Sequence, residues 1–598
     1  MKRIRTEYEN LKNTYLKDGL YTSIKDIVLR VGKYNPDLIL FGEIDDKNGD
    51  IVYYNAKDCL NNISYFSNGL RELGITNKHM AIILKNSYLY VMLDTALSSD
   101  GNCVIPIGYD NEEELLKTMF IASDANYIIC DYYTMNRIIN KIDLNDITTF
   151  EGFIIVCENG SEIKCEKDVI LINEIMEAGK KASFDYYKHE KVDLEKIAKI
   201  LFTSGTTGPN KPVMLTQRNL VNNAINCLNV IQGEVNNTSM SVLPMHHGAE
   251  LNTHIFARYA AGRLTFICKD MSLMMRDMKI FKPNVITVVP LIAKAIYNNI
   301  ILNAKKEGKL DKLNKGIKLC NLFRRFGIDI SHKLFKDIYN AFGGNLNQIV
   351  CGGAMLNKEV SKGLCELGIR VSNGYGISEC GPLVSMNNDG FNYPDSIGKI
   401  CPGLEYKIFD YDEEGAGELC VKGPSVSKGY YKDREATLKV FDSDGFFHTG
   451  DIVKEDRKGY LYIVGRKKNV IILENGKNVC PEELEALIEK NINYLDDYVV
   501  YQHNRMINGK EKEFIVCGIW VNRTKEELKD LNDEELKEKI KNSFKELNNN
   551  LPQYKRINYI SISSISYPRT ALRKIKRDIL NEYHNEEGII LWWHLIGV

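Results

Sequence analysis

The sequence is short of several things at once. Its 15 cysteines include no C-x-x-C pair, so neither a small disulfide scaffold nor a zinc ribbon is indicated. Net charge is almost absent, 78 Lys+Arg standing against 79 Asp+Glu, and such a chain has no global field to recruit nucleic acid or an anionic membrane. Any basic surface must be local. No run approaches the roughly 18 to 20 apolar residues that span a bilayer. The tail GIILWWHLIGV lacks acids, lysine and arginine but is about half that length. It reads as a frayed or core-docked end, with an interfacial anchor as the alternative. The opening MKRIRTEYENLKN lacks the apolar stretch of a signal peptide. Scattered thiols and no leader suggest a reduced, cytoplasmic setting, with peripheral membrane contact as the alternative. No internal repeat or low-complexity block is present.

What is present is length and alternation. At 598 residues and 68.3 kDa the chain exceeds one core, and one domain per ~100 to 200 residues allows about three to six folding units. Between 78 and 160 the apolar runs MAIIL, CVIPIG, NYIIC and FIIVC alternate with helix-like stretches such as EEELLKTMFIAS, the pattern of βαβ units. The alternation returns at VITVVP, QIVCGGA and IRVSNGYG. From about 301 to 341 the text is helical and lysine-rich, which reads as a solvated face or, less simply, a membrane-facing patch. After 404 come shorter strands and turns. The expected architecture is α/β: a large N-terminal part, 1–465, with parallel-type sheets and a β-rich subdomain near 404–465, then a smaller α+β C-terminal domain, 466–598. In that last domain NVIIL reads as a strand, and PEELEALIEKN as a helix with Pro481 in its first turn. Leu536, Ile540, Phe544 and Leu547 form one apolar stripe further on.

Four stretches carry chemistry. In LFTSGTTGPNKPVML, Thr203, Ser204, Thr206 and Thr207 offer hydroxyls, Gly205 and Gly208 admit an anion to the backbone, and Lys211 adds a point charge. These are the parts of a polyphosphate cradle, or of a polar turn. The spacing is not that of a Walker loop, since Lys211 does not follow the second glycine and Pro212 takes the Ser/Thr place. In the second stretch Gly352, Gly353, Ala354, Asn373, Gly374 and Gly376 leave room for a flat ring on which Tyr375 could stack. Ser378 and Glu379 supply hard oxygen ligands for Mg2+; a pair of glycine turns is the alternative. Third, Asp451 sits in a Gly-flanked turn and can accept from two vicinal ribose hydroxyls, while Arg466 can meet phosphate or ribose. An ordinary turn and a surface arginine would look the same. Fourth, Lys574 stands among basic neighbours, where a lone lysine is most often solvated.

In this order and spacing the four resemble the adenylate-forming superfamily of acyl-CoA synthetases, adenylation domains and luciferases, from about 50 to 577. The family pattern T-S-G-T-T-G-x-P-K-G is matched through Gly208 and departs at Pro209-Asn210-Lys211-Pro212. The aromatic-Gly-x-[ST]-E element is Tyr375 to Glu379, T-G-D is Thr449 to Asp451, and the G-R-x-[KD] hinge is Gly465 to Lys468. The C-terminal P-[KR]-T-x-x-G-K is Pro568 to Lys574, with Arg573 for the glycine. The resemblance implies that MgATP converts a carboxylic acid to acyl-AMP, with Lys574, Ser378 and Glu379 as catalytic residues and Glu379 as metal ligand. It further implies a hinge at Lys468, a CoA thiol as acceptor, and an acyl carrier protein as the alternative acceptor. SVLPMHHGAEL is similar to the segment at the edge of the acyl pocket, which makes His246 and His247 candidate pocket residues. His247 and Glu250 also spell H-x-x-E, a minor metal reading without further ligands. LPMHH and the helical insert ending NAFGGNLNQIVCGGAML resemble the long-chain fatty acyl-CoA synthetases, so a fatty acid is the expected substrate. A degenerate nucleotide-binding protein remains the reading outside the enzyme class.

Overall fold

A computed structural model describes residues 7–12, 14–156, 167–203, 210–231, 237–473, 477–495, 497–507, 510–523, 525, 528–563, 567, 575, 577, 580 and 591–594. The chain divides into two compact units: Met1–Thr203 with Asn210–Tyr406 and Val421–Phe447, and Lys407–Cys420 with His448–Val598.

The first unit is built on two mostly parallel sheets. One has nine strands, in spatial order Lys399–Ile400, Leu383–Asn387, Arg370–Gly376, Gln348–Cys351, Val285–Val288, Ser239–Ser241, Thr265–Ile267, Ile39–Ile44 and Ile51–Asn55. The strands from Arg370–Gly376 to Ile39–Ile44 are parallel, and antiparallel strands close both edges. The other has seven strands, in order Asp168–Leu171, Gly152–Ile155, Tyr127–Cys130, His79–Ile83, Cys103–Pro106, Ile197–Phe202 and Pro212–Thr216. Only its last strand is antiparallel. Parallel strands covered on both faces need apolar residues at every position, and Tyr127–Cys130 and Gly152–Ile155 are buried throughout.

Covering helices follow from local signals. Helix Ala56–Glu72 starts at a reciprocal cap between Asn55 and Asp58 and buries Cys59, Ile63, Phe66 and Leu70 along one stripe. It crosses helix Ile172–Lys181 at backbone distance: a Cβ on Gly179 would lie 1.7 Å from the Tyr65 carbonyl, so only glycine permits the crossing. The lysine-rich segment forms helices Pro290–Lys306, Leu310–Arg324, Ser331–Leu334 and Lys336–Ala341.

In the second unit lies most of a four-stranded sheet, Glu405–Phe409, Gly417–Lys422, Phe447–Glu455 and Leu461–Arg466, where β-rich structure was expected. The strand expected at NVIIL is only Ile471–Ile472, paired with Asn478–Val479. Helix Pro481–Asn491 carries Pro481 in its first turn. Helix Asp533–Asn549 buries Leu536, Ile540, Phe544 and Leu547. A further sheet orders Asp497–Ile507, Lys510–Trp520, Tyr559–Ser563 and Leu591–His594. Of the apolar tail, Leu591–His594 lies among the described residues, and it pairs antiparallel with Tyr559–Ser563. Among the described residues no helix is long and apolar enough to cross a membrane, and every cysteine is a free thiol.

Candidate active site

In the nine-stranded sheet Ser239–Ser241, Val285–Val288, Gln348–Cys351 and Arg370–Gly376 are parallel neighbours, so their carboxyl ends open along one edge. Open α/β sheets hold ligands at that edge. His246 and His247 follow the first of these strands, Gly352, Gly353 and Ala354 the third, and Ser378 and Glu379 the fourth. Cys351 pairs with Asn373, which brings the two glycine segments alongside each other. A Cβ on Gly352 would stand 3.3 Å from the Gly374 carbonyl, and one on Gly376 would stand 2.4 Å from the Pro382 carbonyl. Gly376 thus admits no side chain. Gly353 and Ala354 are exposed, whereas Tyr375 is only 7% exposed. Asn373 is buried, donates to the Pro394 carbonyl at 3.3 Å, and leaves Oδ1 without a partner among the described residues.

Ser378–Cys380 is one helical turn, ended by Gly381 at φ +89°. The Tyr430 hydroxyl donates to Glu379 Oε1 at 2.9 Å, and the Ser427 amide donates to the Glu379 carbonyl at 2.7 Å. Burial, and then the Glu379 charge, push the Tyr430 phenol's pKa up, so it stays a donor. Lys211 Nζ lies 4.8 Å from the centre of the same ring. The Thr203 amide donates to the Lys211 carbonyl at 3.1 Å, and the Lys211 amide donates to Thr203 Oγ1 at 3.2 Å. This clasp flanks Ser204, Gly205, Thr206, Thr207 and Gly208, which lie outside the described residues. Pro212 opens the edge strand and pairs with Phe202, a position where proline's missing N–H is tolerated. Thr203, Lys211, Tyr430 and Glu379 form one row of hydroxyl, ammonium, phenol and carboxylate. Its lysine suits a phosphate, and the oxygens of Glu379, Ser378 and Thr203 are the hard donors that Mg2+ takes.

His246 and His247 stack obliquely, ring centres 4.1 Å apart. Dehydration lowers both pKa values, that of His247 to about 4; for His246 the neighbouring ring adds to the effect. Two neutral imidazoles can line an apolar pocket without bringing charge into it. The chain then widens into the π-helix Ala249–Ile255, a departure from α geometry that recurs at functional sites. Within it Glu250 is fully buried, with Oε1 2.8 Å from His254 Nδ1, and His254 Nε2 is 3.1 Å from Ser239 Oγ. The H-x-x-E pair is thereby dismissed as a metal site, because Glu250 serves His254 instead of His247.

Several residues went unnoticed in the sequence. Lys199 and Asp94 are fully buried; the ammonium donates to Asp94 Oδ2 and to Asn252 Oδ1, each at 2.8 Å. Asn223 donates to the Asn252 carbonyl at 3.1 Å and accepts from the Leu383 amide at 2.9 Å. Asn219 donates to the carbonyls of Pro424 and Val426 at 2.9 and 2.7 Å. Helix Gln217–Val230 therefore ties the π-helix, the strand after Glu379 and the segment leading to Tyr430 into one frame. The available signal was three asparagines, 219, 223 and 226, at helical spacing on one face.

The second unit holds its own candidates. Asp451 and Arg466 face each other across neighbouring strands, Arg466 Nε 2.8 Å from Asp451 Oδ1. Asp451 is 2% exposed. Asp451 lies within the strand Phe447–Glu455 and not in the turn expected of it, and the preceding Gly450, at φ +70°, donates its amide to Glu418 Oε1 at 3.1 Å. Glu418, Cys420 and His448 gather their polar atoms beside it, and Lys467 donates to Glu418 Oε2 at 2.8 Å. That ammonium already supplies the cation. Lys468 is exposed in the single turn Lys467–Asn469 that follows the strand Leu461–Arg466. Lys574 lies outside the described residues.

Comparison with known proteins gives the same outline. Residues 42–431 match the family described as AMP-binding enzyme, and residues 468–587 match the AMP-binding enzyme C-terminal domain. Fatty acyl-CoA synthetase B of Dictyostelium discoideum is 30% identical over 516 residues, covering 81% of this chain and 75% of its own. Long-chain-fatty-acid–CoA ligase 6 of Mus musculus is 32% identical over 340 residues, 54% of this chain and about half, 48%, of its own length. The ATP-bound crystal structure of MatB from Rhodopseudomonas palustris superposes with a TM-score of 0.70 at 19% identity, covering 94% of this chain and 99% of that one. At that identity the likeness is one of fold.

Proposed function

The chain belongs to the AMP-binding enzyme family, and from that premise we propose that it is an AMP-forming acid–thiol ligase acting on a long-chain fatty acid. ATP and the acid give acyl-AMP and pyrophosphate; the thiol of CoA then takes the acyl group. The row Thr203, Lys211, Tyr430 and Glu379, whose first and last members follow parallel strands, is the observation that carries this reading.

In the first step a carboxylate oxygen attacks the α-phosphorus. The new O–P bond forms as the bond to the bridging oxygen breaks, and pyrophosphate leaves with the electron pair. Negative charge grows on the phosphate oxygens, and fixed cations stabilise it. Lys211, and Lys574 by the resemblance, would supply them. Mg2+, when bound, adds double positive charge and orients the phosphates; Glu379 and Ser378 would hold it. Tyr430 donates to Oε1 of Glu379 and so fixes the carboxylate's rotation. The two oxygens of Asp451 would take the ribose hydroxyls, with Arg466 beside them. In the second step the thiol loses its proton to solvent and its sulfur attacks the acyl carbonyl carbon; the C–O bond to the phosphate breaks, and AMP departs with the electron pair. Lys468 is the proposed hinge between the steps.

The fatty-acid assignment is supported by the names of the relatives and by the uncharged His246 and His247. An acyl carrier protein as acceptor would need the same residues and differ in the thiol donor. Free thiols at every described cysteine suit a reduced, cytoplasmic setting. The test is acid-dependent pyrophosphate release over a panel of carboxylic acids, followed by CoA. ADP formation, or no pyrophosphate with any acid, refutes adenylation and leaves a degenerate nucleotide-binding protein. Acyl-AMP that CoA fails to discharge would favour the carrier protein.

A further inference from the structure

Helix Leu310–Arg324 has two apolar stripes, and one faces water. Leu313 and Cys320 are buried in the first unit's core, with Ile317 packed beside them. At 3.6 residues per turn, Leu319, Leu322 and Phe323 fall on another face, where they are 43%, 50% and 37% exposed. Phe326 and Ile328 continue it past the helix end at 74% and 51%. Exposed apolar residues are ordinary when scattered singly, whereas a contiguous group marks an interaction site.

The charge around this tip is predominantly basic, although Asp311 and Asp329 bound it and Asp329 lies 3.5 Å from Arg324. From Lys312 to Ile328 there are five basic residues and no acid, in a chain whose net charge is −1. Lys315 and Lys312 lie one and two turns before Leu319 on the same stripe, and both are exposed, as are Lys318 and Arg325. Arg324 is otherwise occupied, donating to the Glu366 carbonyl at 3.1 Å. The cores of protein–protein interfaces are depleted in lysine. A helix that lies in a lipid surface combines Leu and Phe with lysines that reach the phosphates.

We propose that this apolar tip and its basic rim dock the protein on an anionic bilayer, Leu322 and Phe326 entering the acyl boundary and the lysines meeting head-group phosphates. The docking is independent of the ligase reading and stands or falls separately from it.

The test is co-sedimentation of the full chain with large vesicles, either of phosphatidylcholine alone or of equimolar phosphatidylcholine and phosphatidylglycerol. Partitioning onto the anionic vesicles is expected to be at least about tenfold stronger and to fall as salt rises. The paired substitutions Leu322→Ser and Phe326→Ser, at exposed positions, should weaken it by about tenfold or more; so should Lys312→Glu with Lys315→Glu. Far-UV circular dichroism and pyrophosphate release with a soluble acid should not change in either variant. Absence of wild-type binding to anionic vesicles, or equal binding by both variants, overturns the proposal. A lipid-free dimer that the serine variant abolishes would assign the surface to a second copy instead.

Discussion

Replacing Lys199 with methionine should damage the first unit more than its single position suggests. The side chains of Lys199 and Asp94 are 0% exposed and 2.8 Å apart, with Asn252 at 2.8 Å and the Phe256 ring 5.2 Å from the ammonium. Asp94 Oδ1 has no partner among the described residues, so the ammonium is the main compensation for the carboxylate. Removing one member of a buried pair costs about 3 to 5 kcal/mol, against a typical domain stability of about 5 to 15 kcal/mol. Burial already pushes the Asp94 carboxyl up while Lys199 holds it down; without the lysine it rises further. An acid whose folded pKa lies above its unfolded value makes the folded state hold the extra proton, so stability falls as pH rises between the two. Lys199→Met should therefore be least impaired in mild acid and most impaired above neutrality. Combined with Asp94→Leu, which removes the stranded charge, the loss should shrink to about 1 to 2 kcal/mol. Urea unfolding followed by far-UV circular dichroism is the assay. Tryptophan fluorescence would miss the event, because Trp520, Trp592 and Trp593 all belong to the second unit. A single substitution costing under about 1 kcal/mol, or a double variant no better than the single, refutes the reasoning.

Other perturbations address the site. Glu379→Gln should lower the adenylation rate by about 100-fold or more, and Tyr430→Phe, which frees the carboxylate to rotate, by about 10- to 100-fold; single-turnover acyl-AMP formation reads both. Lys574→Ala should slow that half-reaction by about 100-fold or more while nucleotide binding, measured by calorimetry, persists; equal rates would remove Lys574 from the chemistry. His247 is held near a pKa of about 4, below its ordinary value. It therefore contributes stability at neutral pH that is lost as pH falls from about 6.5 towards 4, up to about 3 kcal/mol in the limit of full burial. His247→Gln should flatten the acid limb of a denaturation series by up to that amount; an unchanged limb would mean that the imidazole is solvated.

The parallel sheets were legible because strands covered on both faces show as uninterrupted apolar runs, as at Tyr127–Cys130 and Gly152–Ile155. The buried stripe of helix Asp533–Asn549 was legible, since Leu536, Ile540, Phe544 and Leu547 follow a local 3.6-residue pattern. NVIIL misled: its apolar run promised a strand, but only Ile471–Ile472 pairs, with a partner two residues long. Ser378 and Glu379 could be proposed from a motif, whereas Tyr430, 51 residues beyond Glu379, reaches it only through the fold. Lys199 sits in the apolar run IAKILF, and nothing local announces that Asp94, 105 residues earlier, neutralises it.

The polar helix Gln217–Val230 changes how variation in this protein should be read. Asn219, Asn223 and Asn226 are at most 5% exposed, and two of them satisfy backbone groups that belong to three separate segments. Replacing either by a similar-sized apolar residue strands those amides and carbonyls in a dry interior, at about 1 to 3 kcal/mol each. A mutagenesis library that varied the asparagines as surface and protected only the aliphatic residues would discard most of its members here. The least replaceable letters of this helix are the ones a hydropathy plot marks as expendable.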